Sequence, residues 1–455
     1  MAYETINPAT GKRLQSFETL THEEMIKAIE RSNEAFYDWR ESSFSERASL
    51  LRTVGKLLRE RKEELGMIMT TEMGKPIKDG IAEAEKCALV CEYYADNAEA
   101  FLSDEPLESE ASECFSAYNP LGVVLAVMPW NFPFWQVFRF AAPGIMAGNT
   151  GLLKHASNVP QCAIAIEKLF TDAGYPEGVF QSLLISSKQV PALLEHRAVK
   201  AATLTGSEYA GSAVAKKAGE MIKKTVLELG GSDAYIVLAD ADLEMAAKTC
   251  AGSRMINAGQ SCIAAKRFIV EKSRIVEFTR LFTDHMQTYK MDDPTKPETN
   301  LGPMARTDLR DDVHKQVQKS IEEGANCILG GKIPEKEGAW YPPTVLTGVR
   351  KGMEAFDEEI FGPVAAIIEA DDENHAIALA NDSKYGLGAA IFTGDVSKGR
   401  NIAARKLEAG FCCVNDFVRS DPRLPFGGVK MSGYGRELSI PGIREFVNLK
   451  TVYVK

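Results

Sequence analysis

The chain has 455 residues, 45% hydrophobic and 25% charged, with a formal net charge of -10. That length suits about three domain-sized units with substantial cores, and an acidic balance without a Lys/Arg run excludes a phosphate-backbone footprint and hence a nucleic-acid partner. The longest apolar stretches, such as 122–129, fall far short of the ~20 residues needed to cross a bilayer, and Met1-Ala2-Tyr3-Glu4 leads into no basic-then-apolar leader. The expectation is a cytoplasmic protein that is not held in a membrane. Nine cysteines, an odd number without secretory features, read as reduced thiols. Cys87 and Cys91 lie one helical turn apart but lack further ligands for a tetrahedral site, so core packing is expected and no metal.

Helical periodicity dominates the first hundred residues, with Thr21-His22-Glu23-Glu24 as an N-cap and first turn, and helices recur through Leu102. From Pro106 to Pro120 the pattern shortens and alternates as in a hairpin. A buried strand over 122–128 opens a series in which apolar runs at 150–153, 179–184, 201–204 and 225–229 alternate with helical stretches such as Pro160 to Ala173. Strands joined by crossover helices form a parallel sheet whose ligands sit beyond the strands' carboxyl ends. A second α/β series follows, with strands expected at 234–238, 268–270, 364–369, 388–392 and 411–415. The tail 446–454 reads as a strand free to pair with the earlier hairpin or with another subunit.

Three segments carry chemistry. Cys262 ends Asn257-Ala258-Gly259-Gln260-Ser261-Cys262, a Gly-containing link between helix and strand where bare N–H groups can face a thiolate; read by itself, it is equally a small core residue. Glu228, in Val226-Leu227-Glu228-Leu229-Gly230-Gly231, ends an apolar strand, where burial raises a carboxyl pKa toward that of a general base, or it simply turns to solvent. Asn131, in Pro129-Trp130-Asn131-Phe132-Pro133, is held in a stiff turn as an oxyanion donor or as an amide bonded to its own backbone.

These three motifs, in this order, resemble the aldehyde dehydrogenase superfamily. The resemblance runs from Asn7-Pro8-Ala9-Thr10-Gly11 through Glu358-Glu359-Ile360-Phe361-Gly362-Pro363 to Pro425-Phe426-Gly427-Gly428-Val429-Lys430. It implies an α/β fold with a Rossmann-like cofactor domain (1–102 and 121–230), an α/β catalytic domain (231–432) and a small β oligomerisation element (103–120 and 433–455) in a homodimer or homotetramer. It further implies that Cys262 adds to an aldehyde, that Asn131 and the Cys262 N–H hold the oxyanion, and that Glu228 activates the water that hydrolyses the resulting thioester.

No Gly-x-Gly-x-x-Gly fingerprint stands near the cofactor strands. In the family, Gly206, Ser207 and the helix after them contact the pyrophosphate, Trp130 lies in the cofactor-side motif, Glu359 holds the nicotinamide ribose, Phe361 packs near the ring and Lys154 reaches the adenosine ribose. Ser157 stands where NAD-preferring members often carry Glu, whose charge repels a 2′-phosphate, so NADP is expected to be preferred, with NAD possible.

Trp135, Gln136 and Arg139, with Ser420 downstream, resemble succinate semialdehyde dehydrogenases, where the matching Arg139 and Ser420 anchor the distal carboxylate. Another semialdehyde or an aliphatic aldehyde is the nearest alternative. A non-redox cysteine acyl hydrolase and an inactive structural protein are the readings from other classes. Ala264 replaces a second cysteine that gives some members a regulatory disulfide.

Overall fold

The computed structural model describes residues 3–455, so the first two residues of the expected cofactor range lie outside it. After a short N-terminal hairpin the chain forms four helices, His22–Trp39, Phe44–Glu60, Lys62–Met73 and Ile77–Phe101. Thr21 caps the first through a reciprocal box: its hydroxyl accepts from the Glu24 N–H while the Glu24 carboxylate accepts from the Thr21 N–H at 2.8 Å. Ser43 and Glu46 repeat the device one helix later. Met69, Met73, Cys87 and Cys91 pack into the core beneath these helices.

The helical reading of the first hundred residues needs one correction. Tyr3–Ile6 and Arg13–Phe17 pair antiparallel across a turn at Asn7 to Gly11. The second of these strands is largely exposed, so it carries no apolar alternation to announce itself.

The first large sheet has the strand order Gly433–Tyr434, Lys224–Glu228, Val199–Thr205, Val123–Met128, Thr150–His155, Phe180–Ser182. Its last five strands are parallel. Helices cover both faces, which is why its central strands are almost continuously buried. The second sheet runs Asn326–Leu329, Thr344–Thr347, Val364–Ala370, Arg267–Glu271, Ala234–Val237, Gly388–Phe392, Phe411–Val414, parallel except at the first strand. The sequence pattern missed its first two strands. Each has four residues, and the edge strand is half exposed with its register broken between Cys327 and Leu329, too little for a period to emerge.

Of the two partners open to the tail, Val447–Val454 takes the hairpin. It pairs antiparallel along all of Glu113–Pro120, whose other edge holds Glu105–Pro106. No helix among the described residues is long and apolar enough to cross a membrane.

Candidate active site

Because the strands of the first sheet run parallel, the residues that follow them gather at one edge. Trp130 and Asn131 follow Met128, Lys154 and Ser157 bracket the end of Thr150–His155, Gly206 and Ser207 follow Thr205, and Glu228 ends its own strand. Ser207 caps the helix Glu208–Glu220, its hydroxyl accepting from the Ala210 N–H at 3.3 Å. The positive end of that helix therefore opens on the same edge.

Cys262 reaches this edge from the second sheet's side. The helix Leu243–Met255 ends, Asn257 and Ala258 adopt left-handed backbone (φ 53° and 56°), and Gly259 follows at φ 73°. Two non-glycine residues in that region cost about 1–3 kcal/mol each and need support. The support is visible. Asn257 Nδ2 donates to the Asn131 carbonyl at 2.7 Å, Gln260 Oε1 accepts from the Ala305 N–H at 2.9 Å, and Lys266 Nζ donates to the carbonyls of Ser261 (2.9 Å) and Cys262 (2.6 Å). A Cβ at Gly259 would stand 2.1 Å from the Gly362 carbonyl oxygen, so only glycine lets the cysteine loop touch the Glu359–Pro363 segment.

The same closeness joins the other motifs. A Cβ at Gly231 would meet the Cys262 carbonyl at 2.9 Å, and Asn131 Nδ2 donates to the Gln260 carbonyl at 3.1 Å. That bond orients the buried Asn131 amide and leaves its second N–H without a protein acceptor. Among the described residues no group accepts the Cys262 N–H either. Burial, the largest cause, pushes the Cys262 thiol up to about 12, with Arg139 and Lys266 pulling it back. The thiol is thus protonated at neutral pH in the ligand-free protein and needs a base or an added positive charge to react.

Glu228 is 3% exposed and neither carboxylate oxygen has a hydrogen-bond partner. Its pKa is raised well above the usual range, first by burial and then by the Glu437 charge, with Arg139 and Arg436 opposing. Arg139 Nε lies 2.7 Å from Glu437 Oε2, both groups buried, though the N–H is not aimed along that line; Nη2 donates to Thr205 Oγ1 at 3.4 Å. Arg139 therefore faces the Glu437 carboxylate as well as the cavity.

A cavity of about 170 Å³ opens against Cys262, with Trp135, Gln136, Arg139, Ser420 and Lys86 on its walls. The helix Trp135–Met146 supplies three of these. Trp135 and Arg139 are one turn apart on it. Its first N–H groups, of Phe134 and Trp135, donate to Glu83 Oε1 at 2.9 Å each. Sequence reasoning missed Lys86, Glu83 and Glu437. Glu83 and Lys86 lie inside a long helical pattern, and no local spacing marks a residue whose partners come from distant segments.

On the cofactor side, Lys154 is buried and, among the described residues, has no carboxylate within ion-pair reach, while Ser157 is exposed three positions on. Burial lowers the Lys154 pKa. The rings of Trp130 and Phe361 meet edge to face at 5.8 Å. Glu359 Oε1 accepts from the Gly231 N–H (3.0 Å) and lies 3.2 Å from Lys266 Nζ, so its carboxylate is turned inward. Among the described residues no three His, Cys, Asp or Glu side chains gather as a metal site would require.

A model of the aldehyde dehydrogenase family matches residues 1–452. The chain is 51% identical over 454 residues to a probable NADP-linked succinate-semialdehyde dehydrogenase of Synechocystis, covering all of both chains. It is 49% identical to the NAD(P)-linked succinate semialdehyde dehydrogenase of Escherichia coli, over 99% of this chain and 97% of that one. The solved succinic semialdehyde dehydrogenase of Streptococcus pyogenes with NADP superposes at a TM-score of 0.97 with 40% identity, covering both chains fully. With its motifs gathered around one cysteine and its whole length matched, the chain belongs to the aldehyde dehydrogenase family.

Proposed function

We propose that the protein oxidises succinate semialdehyde to succinate with NADP, by way of a thioester on Cys262. The observation that carries the reading is the cavity against Cys262. At about 170 Å³ it is well below the ~300–1,000 Å³ of pockets for larger ligands, and its walls place Arg139 and Ser420 beside Trp135 and Gln136. Such a space suits a short aldehyde ending in a carboxylate. The similar enzymes described above are named for that substrate.

In this reading the Cys262 thiol gives its proton to water, with the Arg139 and Lys266 charges favouring the thiolate, its sulfur attacks the aldehyde carbon, and the carbonyl electron pair moves to oxygen. The second N–H of the Asn131 amide and the Cys262 N–H, neither given to a protein acceptor, stabilise that oxyanion. Bound NADP supplies the acceptor for the hydride that this carbon loses. Glu228, raised in pKa and unpartnered, takes a proton from the water that displaces sulfur from the thioester, and the thiol is restored. Lys154, Ser157, Gly206, Ser207, Glu359 and the Trp130–Phe361 wall hold the cofactor. We assign the first sheet to the cofactor domain, the second to the catalytic domain, and the three-stranded sheet with its exposed Leu449 and Tyr453 to a homodimer or homotetramer contact. The unpaired cysteines suit the reducing cytosol.

The direct test follows formation of the reduced cofactor, NADPH or NADH, from succinate semialdehyde and from butanal, each with NADP and NAD. The expected outcome is a higher kcat/KM for the semialdehyde and for NADP. Equal or better turnover of butanal would instead favour an aliphatic aldehyde as substrate. Ser157→Glu tests the cofactor assignment separately: a carboxylate there repels a 2′-phosphate and accepts from ribose hydroxyls. The ratio of kcat/KM for NADP over NAD is expected to drop by roughly 10- to 100-fold, about 1.4 kcal/mol per tenfold; an unchanged ratio removes Ser157 from the ribose site.

A further inference from the structure

The wall that faces Cys262 holds a second cation whose environment differs sharply from that of Arg139. Lys86 lies on the helix Ile77–Phe101, one turn beyond Glu83. Glu83 joins that helix to the start of Trp135–Met146 by accepting from two of its N–H groups, and so places Lys86 over the Trp135 ring, with Nζ 4.2 Å from the ring centre. The acids near Lys86 are all taken up elsewhere. Glu83 holds Lys75 as well as the two N–H groups, Asp421 is bidentate to Arg423 (2.8 and 2.7 Å), and Glu437 faces Arg139. Among the described residues no carboxylate lies within ion-pair distance of Lys86. It is a part-buried ammonium without a counter-ion.

Ser420 completes the arrangement. Its Oγ accepts from Lys86 Nζ at 3.0 Å and from Trp135 Nε1–H at 2.8 Å. A hydroxyl has two acceptor positions and one proton. Both acceptor positions are filled, so the Ser420 proton is obliged to donate, and no protein group receives it. Lys86 retains two further N–H donors. The wall thus offers several donors and a positive charge without a paired carboxylate, whereas Arg139 already faces Glu437 at 2.7 Å.

We propose that Lys86, with the Ser420 hydroxyl, binds the distal carboxylate of the substrate and sets the preference for a semialdehyde, while Arg139 is paired with Glu437. The inference rests on the proposed succinate semialdehyde activity. Lys86 also lines a neighbouring pocket of about 550 Å³ whose walls include Lys75 and Lys78.

The test compares Lys86→Met with the parent enzyme by the ratio of kcat/KM for succinate semialdehyde over butanal, both with NADP. Removing one partner of a buried charge pair lowers that ratio by about 30-fold or more, mainly through KM for the semialdehyde, and Lys86→Arg restores part of it. An unchanged ratio, or a parallel loss on both substrates, overturns the proposal. So does loss of the ratio in Arg139→Met with Lys86→Met unaffected. A parent enzyme that never favoured the semialdehyde would refute the function itself, a result distinct from failure of Lys86.

If Lys86→Met does not fold, the parent's pH profile decides. Burial brings the Lys86 pKa down to about 8, with Arg139 lowering it further and Cys87, Glu83 and Asp421 opposing; Arg419 and Cys262 also face the cavity. Charged below that value and neutral above it, Lys86 keeps the substrate ratio level up to about pH 8 and lets it fall beyond. A ratio level well above that point overturns the assignment.

Discussion

Replacing Cys262 with alanine is expected to lower NADPH formation from succinate semialdehyde by at least about 10⁴-fold, in line with loss of a nucleophile elsewhere. The alanine keeps the loop's backbone, because the left-handed turn at Asn257 to Gly259 and the Lys266 bonds to two carbonyls do not involve the sulfur. Cofactor affinity should therefore stay close to that of the parent, measured by fluorescence titration with NADPH. Retention of more than about a tenth of the rate would mean that another group makes the covalent bond, and the reading of the site would fail. Cys412 and Cys413 do not fill that role: they lie within a strand of the second sheet, and neither lines the cavity against Cys262.

Changing Glu228 to glutamine should lower kcat by about 10²- to 10⁴-fold, the usual contribution of a general base, while leaving a rapid first turnover. The thioester still forms in the variant but water is no longer deprotonated, so NADPH appears as a burst of one equivalent per site and the acyl adduct on Cys262 becomes visible by mass spectrometry. A steady-state defect with no burst would place Glu228 before, rather than after, hydride loss. The pH dependence has a definite sign. Burial and the Glu437 charge raise the Glu228 pKa; the group is protonated and idle below that pKa and active above it, so kcat climbs with pH across it. Glu437→Gln removes the second cause and frees Arg139 to act on Glu228. Both effects lower the pKa, and the rising limb should move to more acidic pH.

Much of this was legible from residues alone because the local pattern and the global fold agree. Five parallel strands of the first sheet announced themselves as buried runs, and parallel pairing alone carries Asn131, Lys154, Gly206 and Glu228 to one edge. The Thr21 cap and the tail strand were readable for the same reason: caps and periodicity are properties of neighbouring residues. The N-terminal hairpin and the strands Asn326–Leu329 and Thr344–Thr347 were not, since short and partly exposed strands leave no alternation to count.

The amino-acid sequence by itself determined the fold family and pointed to Cys262, Asn131 and Glu228 as candidate nucleophile, amide and base, because each lies in a contiguous motif whose spacing is set by covalent chain geometry. Only the tertiary structure decided how charge is distributed around them. Arg139 and Lys86 are both cations on one cavity wall, yet one meets Glu437 from a segment about 300 residues away and the other meets Ser420 from an equally remote loop. Electrostatic compensation depends on distance in space and on burial, and neither quantity is written in any local stretch of the chain.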